Sequence, residues 1–314
     1  MENYQTTEIL REEPHGQVYK GAYRGTGELV VIKKIPSDDD FRGGIPPTLL
    51  RELLIFQRLP KSASVIDRRL VARELEDGNP VFYIVYEYLD TDLDSFIASV
   101  KPLPSDSVKK LLFQLLKGVY DCHCHAIIHR NLNPKNLLLD EKRQSLKIGD
   151  GISRSFTFVG ETSVPGTVTF PYQAPEVLLG STNYSTPVDI WAVGCIFAEM
   201  VTGNILFAGI GDDPKQADKE QLREIFRQLG KPTELQWPGL ISLPAWKTYQ
   251  EWEGKKMKAR FYSAGDLPSD LLVGAVSLEQ DGAELLSKML TYDPAERITA
   301  KAAMDHPYFK QLII

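Results

Sequence analysis

The sequence predicts an α+β chain of two lobes, a strand-rich part over residues 1–88 and a helical part over residues 89–314. Three observations carry this. Gln17-Val18-Tyr19-Lys20, Leu29-Val30-Val31-Ile32-Lys33 and Val81-Phe82-Tyr83-Ile84-Val85-Tyr86 alternate or run apolar between turn residues, as strands do. From Ser107 to His123, Val108, Leu111, Leu112, Leu115, Leu116 and Val119 recur at intervals of three and four, which is helical spacing. Residues Asp189 to Val201 are almost wholly apolar, as a helix at the centre of a larger unit would be.

The remaining elements follow in order. Gly25-Thr26-Gly27 supplies a hairpin turn between the first two strands, and Glu76-Asp77-Gly78-Asn79 a second one. Asp38 to Pro47 is a polar loop containing Gly and Pro. A helix is expected from about Thr48 to Arg58, with Leu49, Leu53 and Phe56 on its inward side. Beyond Leu89 the pattern turns helical, and Gln221 to Leu229 and Gly282 to Leu290 add amphipathic helices. Gly209 to Lys219 reads as a polar surface loop. For two lobes joined near Tyr88 to Asp92, a ligand between them is the default expectation.

Composition excludes several classes. At 43% hydrophobic and 25% charged residues the chain is an ordinary globular one. A formal charge of −6 gives no global reason to expect nucleic acid or an anionic membrane as partner. No apolar run approaches the roughly 18 residues of a spanning helix, and the polar start resembles no secretory signal. Three cysteines fit a reducing compartment, nucleus or cytoplasm. Cys122-His123-Cys124-His125 ends a helix, and its spacing matches no zinc pattern.

The chemistry lies in a few separated motifs. His129-Arg130-Asn131-Leu132-Asn133-Pro134-Lys135-Asn136 follows the pattern His-Arg-Asp-Leu-x-x-x-Asn of a protein kinase catalytic loop, with the Asp replaced by Asn131. Val30-Val31-Ile32-Lys33 fits the strand whose Lys pairs with nucleotide phosphates and a helix Glu, here Glu52. Asn136 and Asp150 have the spacing of two metal-holding residues. Ala174-Pro175-Glu176, Asp189 and Arg297 complete the frame.

With these motifs, and with Gly44 to Glu52, Tyr86 to Leu93, Ala174 to Ser181, Val193 to Met200 and Asp293 to Ile298, the chain resembles the cyclin-dependent kinases, most closely their plant B-type branch. The resemblance covers essentially the whole chain. It implies the bilobal protein-kinase fold and a Ser/Thr protein kinase ancestry. It further implies ATP and magnesium as ligands. Lys33, Glu52, Val18, Glu87, Leu89 and Leu138 would line the nucleotide site, and Asn136 and Asp150 would hold magnesium. The stretch Pro46 to Glu52 would dock a cyclin-like protein.

The departures from the family fall on the chemistry. At the glycine-rich loop, Arg11-Glu12-Glu13-Pro14-His15-Gly16 keeps only Gly16, with a carboxylate and an amide-free proline where backbone amides would meet phosphate. Pro14 and His15 also occupy the family's inhibitory phosphorylation sites. Asn131 has no basic oxygen, and general base catalysis is worth about 10²–10⁴-fold. Asn133 replaces the Lys that neutralises the transferring phosphoryl group. Lys135, two positions on, is either a substitute cation or a solvent-facing residue. Asp150 runs directly into Gly151-Ile152, so an apolar interlobe residue is missing, a loss of about 2–5 kcal/mol by analogy with core truncation.

Further departures concern regulation and specificity. Arg51, Arg130 and Arg154 match the arginines that gather a phosphothreonine, but the acceptor position is Val164. Glu161, or phosphorylation of Thr162 or Ser163, would have to compensate. Pro171 and Gln173 replace the family's Trp and Arg, so proline-directed specificity does not carry over. Val31 stands where most kinases have Ala and narrows the adenine site.

Two functions are open at this point. One is a scaffold that occupies cyclins or other partners with phosphotransfer impaired or absent. The other is a slow, cyclin-stimulated Ser/Thr kinase that relies on Lys135.

Overall fold

The computed structural model describes residues 1–13, 16–36, 44–59, 61–142, 144–149, 157–158, 170–182, 185–209, 217–250, 278–310 and 312. The chain divides into two compact units, Met1–Asp90 and Thr91–Ile314.

The first unit is one antiparallel sheet with a helix. Its strands are β1 (Tyr4–Glu13), β2 (Gly16–Tyr23), β3 (Leu29–Pro36), β4 (Arg68–Glu76) and β5 (Asn79–Glu87), in the order β1-β2-β3-β5-β4. The expected strands β2, β3 and β5 are the three inner ones. Strands β1 and β4, which the sequence reading did not assign, are the two edges. An edge strand has little to bury, so Tyr-Gln-Thr-Thr-Glu-Ile-Leu-Arg-Glu-Glu carries almost no hydrophobic alternation. Register places Lys33 opposite Val18 on one side and Ile84 on the other. One sheet face is an apolar cluster of Val30, Ile32, Val81, Tyr83 and Val85.

Helix α1 (Pro47–Arg58) begins with Pro at its first position, where no amide hydrogen is needed. Its buried residues are Leu49, Glu52 and Ile55, with Leu59 at the C-cap, while Leu53 and Phe56 are only half-buried. This corrects the expected inward side of Leu49, Leu53 and Phe56. The buried stripe contains a carboxylate, and a reading that follows apolar residues alone places it about one residue off. Leu50 and Leu54 are exposed.

The second unit is helical. Helix α2 (Leu93–Ser99) follows the short strand β6 (Thr91–Asp92), and Asp92 caps it by accepting from Ser95 N at 2.8 Å. Helix α3 (Ser105–Cys124) buries all six apolar positions expected of it. Strands β8 (Leu137–Asp140) and β9 (Ser145–Ile148) join β6 in the order β6-β8-β9, and β7 (Ile127–Ile128) pairs with β10 (Thr157–Phe158). A single turn, α4 (Pro175–Leu178), precedes α5 (Pro187–Thr202).

Every residue of α5 from 188 to 201 is buried, as the apolar run predicts. It ends at Gly203, whose φ of 70° and amide bond to Glu199 O form a left-handed cap. Helix α6 (Ala217–Leu229) starts before the expected Gln221, with Asp218 and Glu220 in its first turn. Residues 217–219 of the anticipated surface loop are therefore helical, and 210–216 lie outside the described residues. Helices α7 (Trp246–Gln250), α8 (Gln280–Met289) and α9 (Ala300–Met304) follow. Among the described residues no helix is long and apolar enough to cross a membrane.

Candidate functional site

The loop of residues 129–136 is held from below by one buried carboxylate. Asp189, in the first turn of α5, accepts from His129 N at 2.9 Å, from Arg130 N at 2.8 Å and from His123 Nε2 at 2.9 Å. These bonds fix Arg130 in the left-handed region, at φ 69°, and so turn the chain sharply into Asn131. Burial works to raise the Asp189 carboxyl, but the bond and charge of His123, with His129, hold it below its usual value. Burial pushes His129 down to about 4 against the pull of Asp189. The ring is neutral at pH 7, and its Nδ1 accepts from Asn131 N at 3.3 Å.

Within the loop the amide side chains bond to one another. Asn133 Nδ2 donates to Asn131 O at 3.0 Å and to Asn131 Oδ1 at 3.3 Å, and Asn133 Oδ1 accepts from Lys135 N at 3.1 Å. Asn136 Nδ2 also donates to Asn131 O, at 2.8 Å. That bond turns Asn136 Oδ1 the other way, and an amide oxygen is a hard ligand of the kind magnesium takes. Lys135 is exposed. Leu138 lies half-buried on β8, packed over Gly149.

In the first unit, Lys33 Nζ meets Glu52 Oε2 at 3.4 Å, joining β3 to α1. Glu52 is 1% exposed, so its charge is sustained by partners of this kind. Val18 is buried on β2. Glu87 Oε1 accepts from Asp67 N at 2.7 Å, so its side chain is used inside the unit and contact with a base would fall to main chain. Leu89 is half-buried beside it in sequence. The surviving loop glycine has a reason within the sheet: a Cβ on Gly16 would lie 2.1 Å from Lys34 O. Each within its own unit, the Lys33 ammonium beside Glu52 is a group that fits a phosphate, and the Asn136 amide oxygen is one that fits magnesium.

The segment after the loop is anchored at two points. Arg297 makes a two-bond pair with Glu176, Nη1 to Oε1 at 2.7 Å and Nη2 to Oε2 at 3.0 Å, and donates to Pro187 O and Tyr292 O as well. Tyr172 OH donates to Glu199 Oε2 at 2.7 Å, and burial raises both groups from their ordinary values. Pro171 and Gln173 flank that tyrosine. Asp150, Gly151, Ile152, Arg154, Glu161, Thr162, Ser163 and Val164 lie outside the described residues, as do Pro14 and His15.

Cys122, His123, Cys124 and His125 diverge. Cys122 is buried and its thiol is pushed up by that burial, His123 bonds to Asp189, Cys124 is exposed, and His125 Nδ1 contacts Asp121 O at 2.7 Å. The roles of His123 and of the Tyr172–Glu199 bond are absent from the sequence reading. Their partners lie 66 and 27 residues away, and no local pattern points to them.

Comparison with known proteins agrees with this frame. Residues 4–309 match the protein kinase domain. The chain is 45% identical to cyclin-dependent kinase B1-1 of Arabidopsis thaliana, over 99% of this chain and 98% of that protein. It is 45% identical to cell division control protein 2 homolog C of Antirrhinum majus, with the same coverage. To cyclin-dependent kinase B2-1 of Oryza sativa subsp. japonica it is 42% identical, over 99% of this chain and 91% of the other. A match of that length, together with the Lys33–Glu52 pair and the loop seated on Asp189, makes the chain a member of the protein kinase family, in its cyclin-dependent, serine/threonine branch.

Proposed function

We propose that this protein acts chiefly by binding a cyclin or another protein partner, with phosphotransfer severely reduced or lost. The observation that carries the reading is the pair of amides in the catalytic loop. The base position is the neutral Asn131, whose Oδ1 already receives a hydrogen bond from Asn133, and no Lys stands at 133. A kinase loses about 10²–10⁴-fold when its base is removed, or roughly 3–5 kcal/mol of barrier. We read residues 1–88 and 89–314 as the N-lobe and C-lobe of one kinase domain. Residues Pro46 to Glu52 are the docking element, which the exposed Ile45, Leu50 and Leu54 support. ATP with magnesium binds weakly, through Lys33, Glu52, Val18, Glu87, Leu89, Leu138, Asn136 and Asp150, because the phosphate loop retains one glycine. The compartment is nucleus or cytoplasm, a reading that the three sparse cysteines support.

A second reading, a slow cyclin-stimulated Ser/Thr kinase, is favoured by the formed Lys33–Glu52 pair and by the exposed Lys135, a cation available to a transferring phosphoryl group. One experiment separates the two. Phosphotransfer to a Ser/Thr peptide is measured with a purified cyclin for this chain and for Asn131→Asp/Asn133→Lys. The binding reading expects the double variant to be faster by about 10²-fold or more. Turnover of the unmodified chain within about tenfold of it establishes the kinase. In the same preparations, titration with ATP and magnesium is expected to give weak binding that Lys33→Ala abolishes. Tight binding indifferent to that change refutes the nucleotide assignment.

A further inference from the structure

Asn133 replaces a lysine and yet is 4% exposed, and its amide joins three residues of the loop. Its backbone is extended, at φ −159° and ψ 161°, and it caps the turn Pro134–Asn136 by accepting Lys135 N, while its main-chain O accepts Asn136 N at 3.0 Å. Its Nδ2 meanwhile donates to both oxygens of Asn131. An ammonium can donate but cannot accept. A lysine here would give up the cap on Lys135 N and bring a cation to a buried position beside a neutral amide. The two asparagines form one uncharged unit in place of an ion pair.

We infer that Asn133 is a positioning residue that orients the side chain at 131 through neutral hydrogen bonds, so that Asn131→Asp alone restores a held carboxylate without a lysine at 133. Resting on the assignment of 131 as the base position, the inference adds that the donor such a carboxylate needs is already in place.

The test compares Asn131→Asp, Asn131→Asp/Asn133→Lys, Asn131→Asp/Asn133→Ala and Asn131→Asp/Asn133→Ser, each with cyclin, ATP, magnesium and a Ser/Thr peptide. Asn131→Asp is expected to raise kcat by about thirtyfold or more and to come within roughly threefold of the lysine-containing double variant. Adding Asn133→Ala should take back about fivefold or more of kcat with peptide KM within roughly twofold. Asn133→Ser keeps a donor and an acceptor and should recover most of that loss.

A silent Asn131→Asp beside an active Asn131→Asp/Asn133→Lys overturns the inference, and so does an Asn133→Ala without effect. If all the variants are silent, turnover fails for a reason other than residue 131. Amide hydrogen exchange then decides the positioning claim in the unmodified chain. The Lys135 amide should exchange about tenfold or more slower than in Asn133→Ala, with Asn133→Ser restoring protection; equal rates overturn the inference.

Discussion

His129 shows how one residue serves the loop through its protonation state. Its Nδ1 must stay unprotonated to accept Asn131 N, and burial ensures this by lowering its pKa from 6.5 to about 4. An unfolded chain binds that proton near 6.5, so the stabilisation is complete above that pH and is lost as pH falls toward about 4. Within that window the loss approaches about 1.4 kcal/mol per pH unit. His306, also lowered by burial, acts in the same direction. We therefore expect Tm to decline from pH 6.5 to pH 4 and His129→Gln to flatten the decline. A Tm–pH curve equally steep in that variant rules the account out. The histidine itself is legible in the sequence as the start of a motif. Its tautomer follows from the loop's folded path, and so do the paired bonds of Asn133.

At the scale of elements, helix α1 divides its apolar residues between two duties. Leu49 and Ile55 are fully buried with Glu52, whereas Leu50 and Leu54 remain 47% and 44% exposed. An exposed pair one turn apart, next to an exposed Ile45, suits a docking face more than a fold. Leu50→Glu is expected to weaken cyclin binding by about tenfold or more, equivalent to roughly 1.4 kcal/mol. Its Tm should stay within a few degrees of the unmodified chain, because nothing buried is lost. Unchanged affinity in a direct titration would refute the assignment. The helix was readable from its spacing, but its inward stripe was not. Sequence spacing ranks residues by hydrophobicity, and here a carboxylate takes a core position because Lys33 meets it.

For the molecule as a whole, a buried long-range tie within the second unit is Arg297 with Glu176, 121 positions apart. Removing one partner leaves the other charge without compensation. Arg297→Leu is expected to cost about 3–5 kcal/mol, because Glu176 would then be a lone buried carboxylate. That corresponds to a Tm lowered by roughly 6–20 °C for a unit of this size. A loss under about 1 kcal/mol in chemical denaturation would show the pair to be dispensable.

The family, the three inner strands, the helices α3 and α5 and the asparagines at 131 and 133 were all present in the order and spacing of residues. Each is written in a local period or a contiguous motif, and local periods survive without knowledge of the fold. The edge strands, the carboxylate in the stripe of α1, the seat of the catalytic loop on Asp189 and the amide pairing of Asn133 were decided only by folding. Each depends on a partner brought near by the chain's path, or on a surface that buries nothing and so leaves no hydrophobic trace in the sequence.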